Sequence, residues 1–167
     1  MINNTVISQY TPDYRDECAD VFQQVYRASP FNFDWLDKDK AAQYFKDLEN
    51  MPGAFSYVLM DSGAVIGACL GQKEEHFQNA AYKINEFFIK PDHQHMGLGS
   101  YFVNELENKL REMGIKAMYL FTQHRMQSYM FYRSNNFIAN EETVHMVRVI
   151  HPEPAVVYTR TFLNTEE

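Results

Sequence analysis

The chain has 167 residues, of which 46% are hydrophobic and 15% aromatic, and its formal net charge is −7 at pH 7. These values predict one folded domain with a sizeable core and exclude a disordered chain, while the negative charge disfavours nucleic acid and anionic membranes as partners and favours a cationic substrate. Two cysteines are too few for a disulfide framework, and no apolar run reaches the about 20 residues of a membrane span. With no leader pattern at the start, we expect a cytoplasmic protein.

The first half of the chain predicts strands and helices in an order that ends with a β-hairpin. Its elements are a strand over 5–9, a helix over 12–27, a helix over 38–50, a strand over 54–60, a strand over 64–72 and a polar loop over 73–79. Thr11 and Asp37 are candidate N-caps of the two helices, because their side chains can accept hydrogen bonds from free backbone N–H groups. Cys18 and Cys69 lie in apolar patterns and are expected in the core.

The second half predicts alternating strands and helices. Its elements are a strand over 82–89, a helix over 99–113, a strand over 116–122, a helix over 126–134 and further strands over 137–138, 144–150 and 155–162. Gly114 is expected to end the first of these helices. Antiparallel strands followed by strand-helix-strand units indicate an α+β domain with a mixed sheet.

A glycine loop joins the strand over 82–89 to the helix that follows it. Gln94, Gly97 and Gly99 lie in this loop, and the free N–H groups at the start of such a helix bind phosphate. A P-loop is excluded because no Gly-Lys-Ser/Thr follows, and a dinucleotide fingerprint is excluded because Phe102 stands where a glycine is needed. The segment resembles the Q/R-x-x-G-x-G/A pyrophosphate loop of the GNAT family of acetyl-CoA-dependent N-acetyltransferases.

A second segment, residues 128–137, resembles the A-x-x-F-Y-x-x-x-G-F helix of the same family. Tyr132 stands at the tyrosine of that pattern, whose hydroxyl faces the cofactor sulfur in the family. Ser128 replaces the alanine, and Asn136 replaces the glycine. Asparagine tolerates the left-handed backbone that this helix end requires, so we expect the segment to keep its shape.

The resemblance covers nearly the whole chain to about residue 150 and implies the fold and the cofactor. It implies a single domain over 1–167, with 151–167 as an unexplained extension, and a mixed, mostly antiparallel sheet of six to seven strands flanked by about four helices. Homodimers are common in the family, and we expect one here. The implied acetyl-CoA contacts are Phe88, Ile89, Gln94, His95, Met96, Gly97, Leu98, Gly99, Ser100 and Phe131, with the backbone of Phe88 and Ile89 beside the thioester.

Acetyl transfer to an amine needs a base, because alkyl amines are protonated at neutral pH, and an acid for the departing thiolate. Glu86 is the candidate base, since burial in its apolar strand would raise its pKa, and Tyr132 is the candidate acid. Some family members carry the carboxylate that serves as base one residue earlier, at the position of Asn85, and asparagine cannot act as a base. Two alternatives stay open: Glu86 faces solvent, or water removes the proton.

The connector between the first two helices is aromatic and acidic, which suits a cationic amine. In the family this region forms the acceptor pocket, and the candidate residues are Phe31, Phe33, Trp35 and Asp34, with Tyr44, Asp37 and Asp39 nearby. His93 and His95 resemble half a metal site without a third ligand, and no metal is expected. Ser100 lacks a nucleophile-elbow motif and is expected to act as a cap or phosphate donor.

The expected function is direct acetyl transfer to the primary amine of a cationic small molecule. An acidic pocket favours such a substrate, whereas an open groove would favour a protein or peptide N-acetyltransferase. A non-catalytic CoA-binding module and an unrelated phosphate-binding α/β protein are the alternatives from other classes. The first leaves the retained Tyr132 without a role, and the second leaves the Phe131–Tyr132 pair unexplained.

Overall fold

The computed structural model contains both helices and strands and describes residues 4–34, 36–76, 79–144, 146 and 148. The helices of these residues are α1 (Arg15–Arg27), α2 (Lys38–Glu49), α3 (Leu98–Glu112) and α4 (Gln127–Ser134). The strands are β1 (Thr5–Gln9), β2 (Tyr57–Asp61), β3 (Ala64–His76), β4 (Asn79–Ile89) and β5 (Ala117–Tyr119). None of the described helices is long and apolar enough to span a membrane.

The five strands form one mixed sheet in the order β1-β2-β3-β4-β5. The first three pairings are antiparallel, and β4 pairs with β5 in parallel. This parallel pairing ends after Lys83 and Tyr119, so the two strands separate while β4 continues to Ile89. Along its last residues β4 has a strand on its β3 side and, among the described residues, none on the other.

Apolar residues cover both faces of the sheet. Helices α1 and α2 pack on one face, where Phe22 lies 5.1 Å from Phe45 and 5.4 Å from Phe88 between ring centroids. Helix α3 packs on the other face through Phe102 and Leu106, which are fully buried. Both cysteines are buried without a disulfide, which confirms their prediction as core residues.

Two predicted helix ends are confirmed. The Asp37 carboxylate accepts a hydrogen bond of 2.8 Å from the backbone N–H of Lys40, so Asp37 is the N-cap of α2. Gly114 follows α3 with a φ of 73°, a left-handed conformation that glycine adopts without a steric penalty. The predicted cap Thr11 instead precedes a short 3-10 turn and makes no capping hydrogen bond with its side chain.

The prediction of six to seven strands is wrong for the described residues, which form five. Residues 137–138 are not a strand, because the N–H of Phe137 bonds the carbonyl of Tyr132 at 3.0 Å and caps α4. The predicted strand over 155–162 and most of that over 144–150 lie outside the described residues.

Two further boundaries differ from the predictions. The predicted loop over 73–79 is largely strand, since β3 and β4 pair as far as His76 and Asn79 and their polar side chains suit an exposed ribbon. The strand predicted over 116–122 is shortened to β5 by the separation from β4.

A β-bulge interrupts β4 on the side that pairs with β3. Leu70 lies opposite Glu86, but the next residue, Gly71, lies opposite Ile84, so Asn85 has no partner of its own. Such an extra residue reverses the alternation of side chains between the two faces of the sheet. The bulge therefore determines which face of the sheet receives the side chains that follow it.

The reversal is visible in the packing of β4. Before the bulge, Tyr82 and Ile84 pack on the α3 face; after it, Phe87 and Ile89 do so. Unbroken alternation would have placed Glu86 on the α3 face with Ile84. Glu86 instead lies on the face that α1 and α2 cover.

The cap of α2 yields a prediction about stability. Asp37→Ala should lower the free energy of unfolding, because the N–H of Lys40 loses its acceptor. Asp37→Asn should cost much less, since asparagine caps helices equally well and only an exposed charge is lost. Urea denaturation measures both variants, and equal losses would show that the cap is not responsible.

Candidate active site

The carboxylate of Glu86 accepts two hydrogen bonds from tyrosines on different helices. The hydroxyl of Tyr26 in α1 donates to Oε2 at 2.7 Å, and the hydroxyl of Tyr44 in α2 donates to Oε1 at 2.7 Å. The side chain is partly buried and does not face open solvent. Strand β4 and both helices thus meet at one carboxylate.

Opposing effects act on the pKa of Glu86. Burial disfavours the charged form and raises the pKa above its usual value, while the hydrogen bonds from Tyr26 and Tyr44 act in the lowering direction. The net direction is upward. Burial, and then the nearby Glu86 carboxylate, raises the pKa of both tyrosines, so both remain protonated donors at neutral pH.

A cavity of about 330 Å³ lies over Glu86. Its volume is at the lower end of the about 300–1,000 Å³ of small-molecule pockets. Besides Glu86 it is lined by residues of α1, of α2 and of the connector between them, namely Phe22, Tyr26, Phe33, Leu36, Lys40 and Tyr44. A bound molecule in this cavity would have its polar end at the carboxylate and its body against the rings.

Tyr132 approaches β4 from the opposite face. Its ring centroid lies 6.4 Å from that of Phe87 and 5.2 Å from those of Phe131 and Phe137. Burial, with a smaller contribution from the Glu86 carboxylate, raises the pKa of Tyr132, so the hydroxyl keeps its proton. Within the described part of the chain this hydroxyl has no hydrogen-bond partner, which leaves it available as a donor.

The edge of β4 that faces away from β3 carries free backbone groups. The N–H of Lys90 bonds the carbonyl of Ile66 on the β3 side at 2.7 Å. Because bonding directions alternate along an antiparallel strand, Phe88 also bonds toward β3, whereas the N–H groups of Phe87 and Ile89 face the gap beside β5. The open edge thus offers Phe87 and Ile89 as donors, while the side chain of Phe88 is in the core.

The glycine loop leads from β4 into α3. Gly97 is the N-cap of α3 with a φ of 80°, and a Cβ there would meet nothing within 4 Å. The N–H groups at the start of α3 are therefore approachable from outside. Gln94 holds the loop to β4, because its side-chain amide donates to the carbonyl of Ile89 at 2.8 Å.

Gly99 is needed for packing. A Cβ at this position would lie 3.0 Å from the ring of Phe131, so the absence of a side chain lets α4 approach the start of α3. Phe131 in turn stacks on Phe87 with ring centroids 5.7 Å apart. The two segments that resemble one family are in direct contact.

The other predicted cofactor residues lie along the same loop with different exposures. Leu98 is buried in the core, Met96 is 60% exposed, Ser100 is partly buried, and His95 has a left-handed φ of 60°. His93 pairs with Asp92 at 2.6 Å. Among the described residues no three metal-binding side chains come together.

The predicted acceptor residues divide into two groups. Phe31 and Phe33 pack on Tyr26 with centroids 4.6 and 5.9 Å away, and Phe33 lines the cavity. Asp34 is exposed and is not part of the cavity wall, and Trp35 lies outside the described residues. The acid in the cavity is therefore Glu86, while Asp37 is used as a helix cap.

The sequence interpretation gave Tyr26 and Phe87 no role in the site. Tyr26 stands four residues after Phe22, so helical spacing places it on the same face of α1 and offers a usable signal. Phe87 is next to Glu86, and only the bulge fixes which face each one takes. The aliphatic and cationic wall residues Leu36 and Lys40 carried no motif.

Solved structures of acetyltransferases share this fold. An aminoglycoside acetyltransferase from an uncultured soil metagenomic sample, in complex with sisomicin, is 16% identical with a TM-score of 0.70 over 90% of this chain and 100% of that chain. An aminoglycoside N-acetyltransferase in complex with CoA is 13% identical with a TM-score of 0.67, over 86% and 94% of the two chains.

A ribosomal-protein-alanine N-acetyltransferase from Brucella melitensis biovar Abortus 2308 is also similar. It is 13% identical with a TM-score of 0.69, over 87% of this chain and 99% of that chain. At these identities the likeness concerns the fold.

The sequence comparisons give the family. No curated protein matches the sequence. The model of the acetyltransferase (GNAT) family matches residues 17–137, which is more than half of the chain and includes both the glycine loop and Tyr132. The chain therefore belongs to the GNAT family of acetyltransferases.

Proposed function

We propose that this chain transfers an acetyl group from acetyl-CoA directly to the primary amine of a small molecule. The observation that carries the proposal is the convergence of two side chains on β4. A partly buried carboxylate, Glu86, lies on one face of the strand, and the ring of Tyr132 packs on the other face against Phe87, whose N–H faces the open edge of β4. Acyl transfer to an amine requires a base, an acid and such donors.

The glycine loop and the open edge of β4 fit the cofactor. The space over Gly97 and the free N–H groups at the start of α3 would hold the pyrophosphate, and the gap between β4 and β5 would hold the pantetheine. Bound acetyl-CoA would supply an acetyl thioester as the acyl donor. Phe131 closes one wall of this site against Gly99.

Glu86 is the proposed base. An amine reacts only when it is neutral, and a carboxylate with a raised pKa can accept the proton from an ammonium bound in the cavity. A carboxylate has about four lone-pair sites, and Tyr26 and Tyr44 use two of them. Glu86 therefore keeps acceptor capacity for the amine.

Tyr132 and the strand edge act on the other side of the reacting group. The hydroxyl of Tyr132 stays protonated and can give its proton to the departing sulfur. The N–H groups of Phe87 and Ile89 are fixed by the sheet and can donate to an oxygen on which negative charge develops.

The size of the cavity favours a small molecule over a protein. A volume of about 330 Å³ beside Glu86 accommodates a small amine, whereas an extended peptide binds along a groove or a sheet edge. One of the similar structures is a ribosomal-protein-alanine N-acetyltransferase, so peptide acetylation is the second candidate. The small volume of the cavity is the reason to rank it second.

The first prediction concerns the cofactor. Gly97→Ala should weaken CoA binding by about tenfold or more, because the added methyl group fills the space reserved for the pyrophosphate. Gly114→Ala is the control: it lies at the other end of α3, is also left-handed and is also open around a Cβ. Both variants should lose similar stability, and calorimetry that finds equal CoA affinities in them would contradict the loop assignment.

The second prediction concerns the acid. Tyr132→Phe should lower kcat by roughly 10²–10⁴-fold with CoA affinity retained, because only a proton donor is removed. Tyr129→Phe, on the same helix, is the matched control and should leave kcat nearly unchanged. Steady-state kinetics test this pair, and equal rates in both variants would remove Tyr132 from the catalytic assignment.

The third prediction concerns the base. A carboxylate base is active when ionised, so the rate should fall as the pH drops through the pKa of Glu86, and Glu86→Gln should abolish this acidic limb. Tyr44→Phe removes a hydrogen bond that lowers this pKa, so the limb should move to higher pH. A pH–rate profile unchanged in Glu86→Gln would leave deprotonation to water or to the substrate.

A further inference from the structure

The walls of the cavity over Glu86 consist mainly of ring faces and one aliphatic side chain. The centroid of Phe22 lies 4.3 Å from that of Tyr26, and Phe33 is stacked on Tyr26 at 5.9 Å with planes 15° apart. Leu36 continues this surface and is 6% exposed. An acceptor in the cavity is therefore in contact with apolar surface along most of its length.

The polar groups of the walls are already engaged with other protein groups. The hydroxyls of Tyr26 and Tyr44 both donate to Glu86 at 2.7 Å, so these residues present their rings. Lys40 lies one helical turn before Tyr44, and its Nζ is 3.2 Å from an Asp37 carboxylate oxygen. In the described walls the cavity thus has one carboxylate, one ammonium and no further acidic side chain.

We infer that the acceptor is a primary monoamine with an apolar alkyl or aryl body, an inference that rests on the proposed acetyl transfer. The ammonium of such a molecule is neutralised by Glu86, and its body replaces water on the ring faces. A second ammonium would lie near the Lys40 ammonium, and the Asp37 carboxylate there is already paired with Lys40. Hydroxyl groups along the body would lose their bonds to water without gaining partners.

Polyamines and aminoglycosides do not belong to this class of acceptor, and we do not expect them to be the preferred substrates. Ring faces attract cations, and this contact supports the first ammonium beside Glu86. The contact with ring faces does not offset the repulsion of a second ammonium, because Lys40 carries a positive charge at the same wall. Selectivity therefore depends on the charge and polarity of the body of the acceptor.

Two amines of equal size test the inference. Hexylamine and 1,5-diaminopentane have the same number of non-hydrogen atoms and differ by a terminal methyl group against a second ammonium. With acetyl-CoA and the full chain, hexylamine should show a kcat/KM about tenfold or more above that of the diamine, after correction for the two equivalent amines of the latter. Ligand-observed NMR on the protein alone should show the same order of binding.

A change of the wall tests the cause. Phe33→Glu adds a second carboxylate at the cavity wall beside Tyr26 and should shift the ratio of kcat/KM toward the diamine, whereas Phe33→Leu keeps the wall apolar and should preserve the order. The ratio is informative even if overall activity falls. The wild-type comparison stands by itself if Phe33→Glu fails to fold.

The outcomes separate this inference from the proposed function. Equal or faster acetylation of the diamine by the wild type would overturn the inference and leave amine acetylation intact. Acetylation of neither amine, with hexylamine still bound more tightly in the NMR measurement, would support the acceptor class and contradict the reaction. Absence of binding by both amines would overturn the inference.

Discussion

The bulge at Asn85 is the constraint on which the candidate site depends. A regular strand would place Glu86 on the same face as Ile84, among the apolar side chains that pack on α3. A carboxylate buried there without donors would be costly, whereas on the other face two tyrosine hydroxyls are in place. One extra residue thus moves a charge from a face that cannot solvate it to one that can.

Strand β4 divides the proposed reaction into two compartments. On one face the tyrosines, Phe22 and Phe33 line the cavity over Glu86. On the other face Phe87 contacts both Phe131 and Tyr132, and Phe131 packs on Gly99 at the start of α3. The two segments that resemble the family are therefore in contact, because a side chain at Gly99 would press on the ring of Phe131 in α4. The open edge of β4 lies between these compartments.

The sequence predicted those features that depend on local chemistry. Single residues were enough to predict the cap at Asp37, the glycine end of α3 and the left-handed Asn136, which has a φ of 65°. The strand content was less predictable, because whether the polar residues 73–76 continue a hairpin depends on pairing across the chain. The bonds from Tyr26 and Tyr44 to Glu86 link residues 60 and 42 positions apart, and the bulge that permits them is implied only by the family resemblance and not by a residue pattern in the strand itself. Asp34 is exposed and does not line the cavity, since acidity near a motif does not determine where a side chain lies.

The two tyrosines connect the chemistry of the site with its selectivity. Their hydrogen bonds act in the lowering direction on the pKa of Glu86, against the burial that raises it. The same bonds hold their rings at the wall of the cavity. Replacing a tyrosine to open the cavity would remove a hydrogen bond from Glu86, the proposed base. Under the proposed mechanism, a change of acceptor class at these two positions is therefore constrained by the reaction, whereas Phe33 is not one of the two donors to the carboxylate.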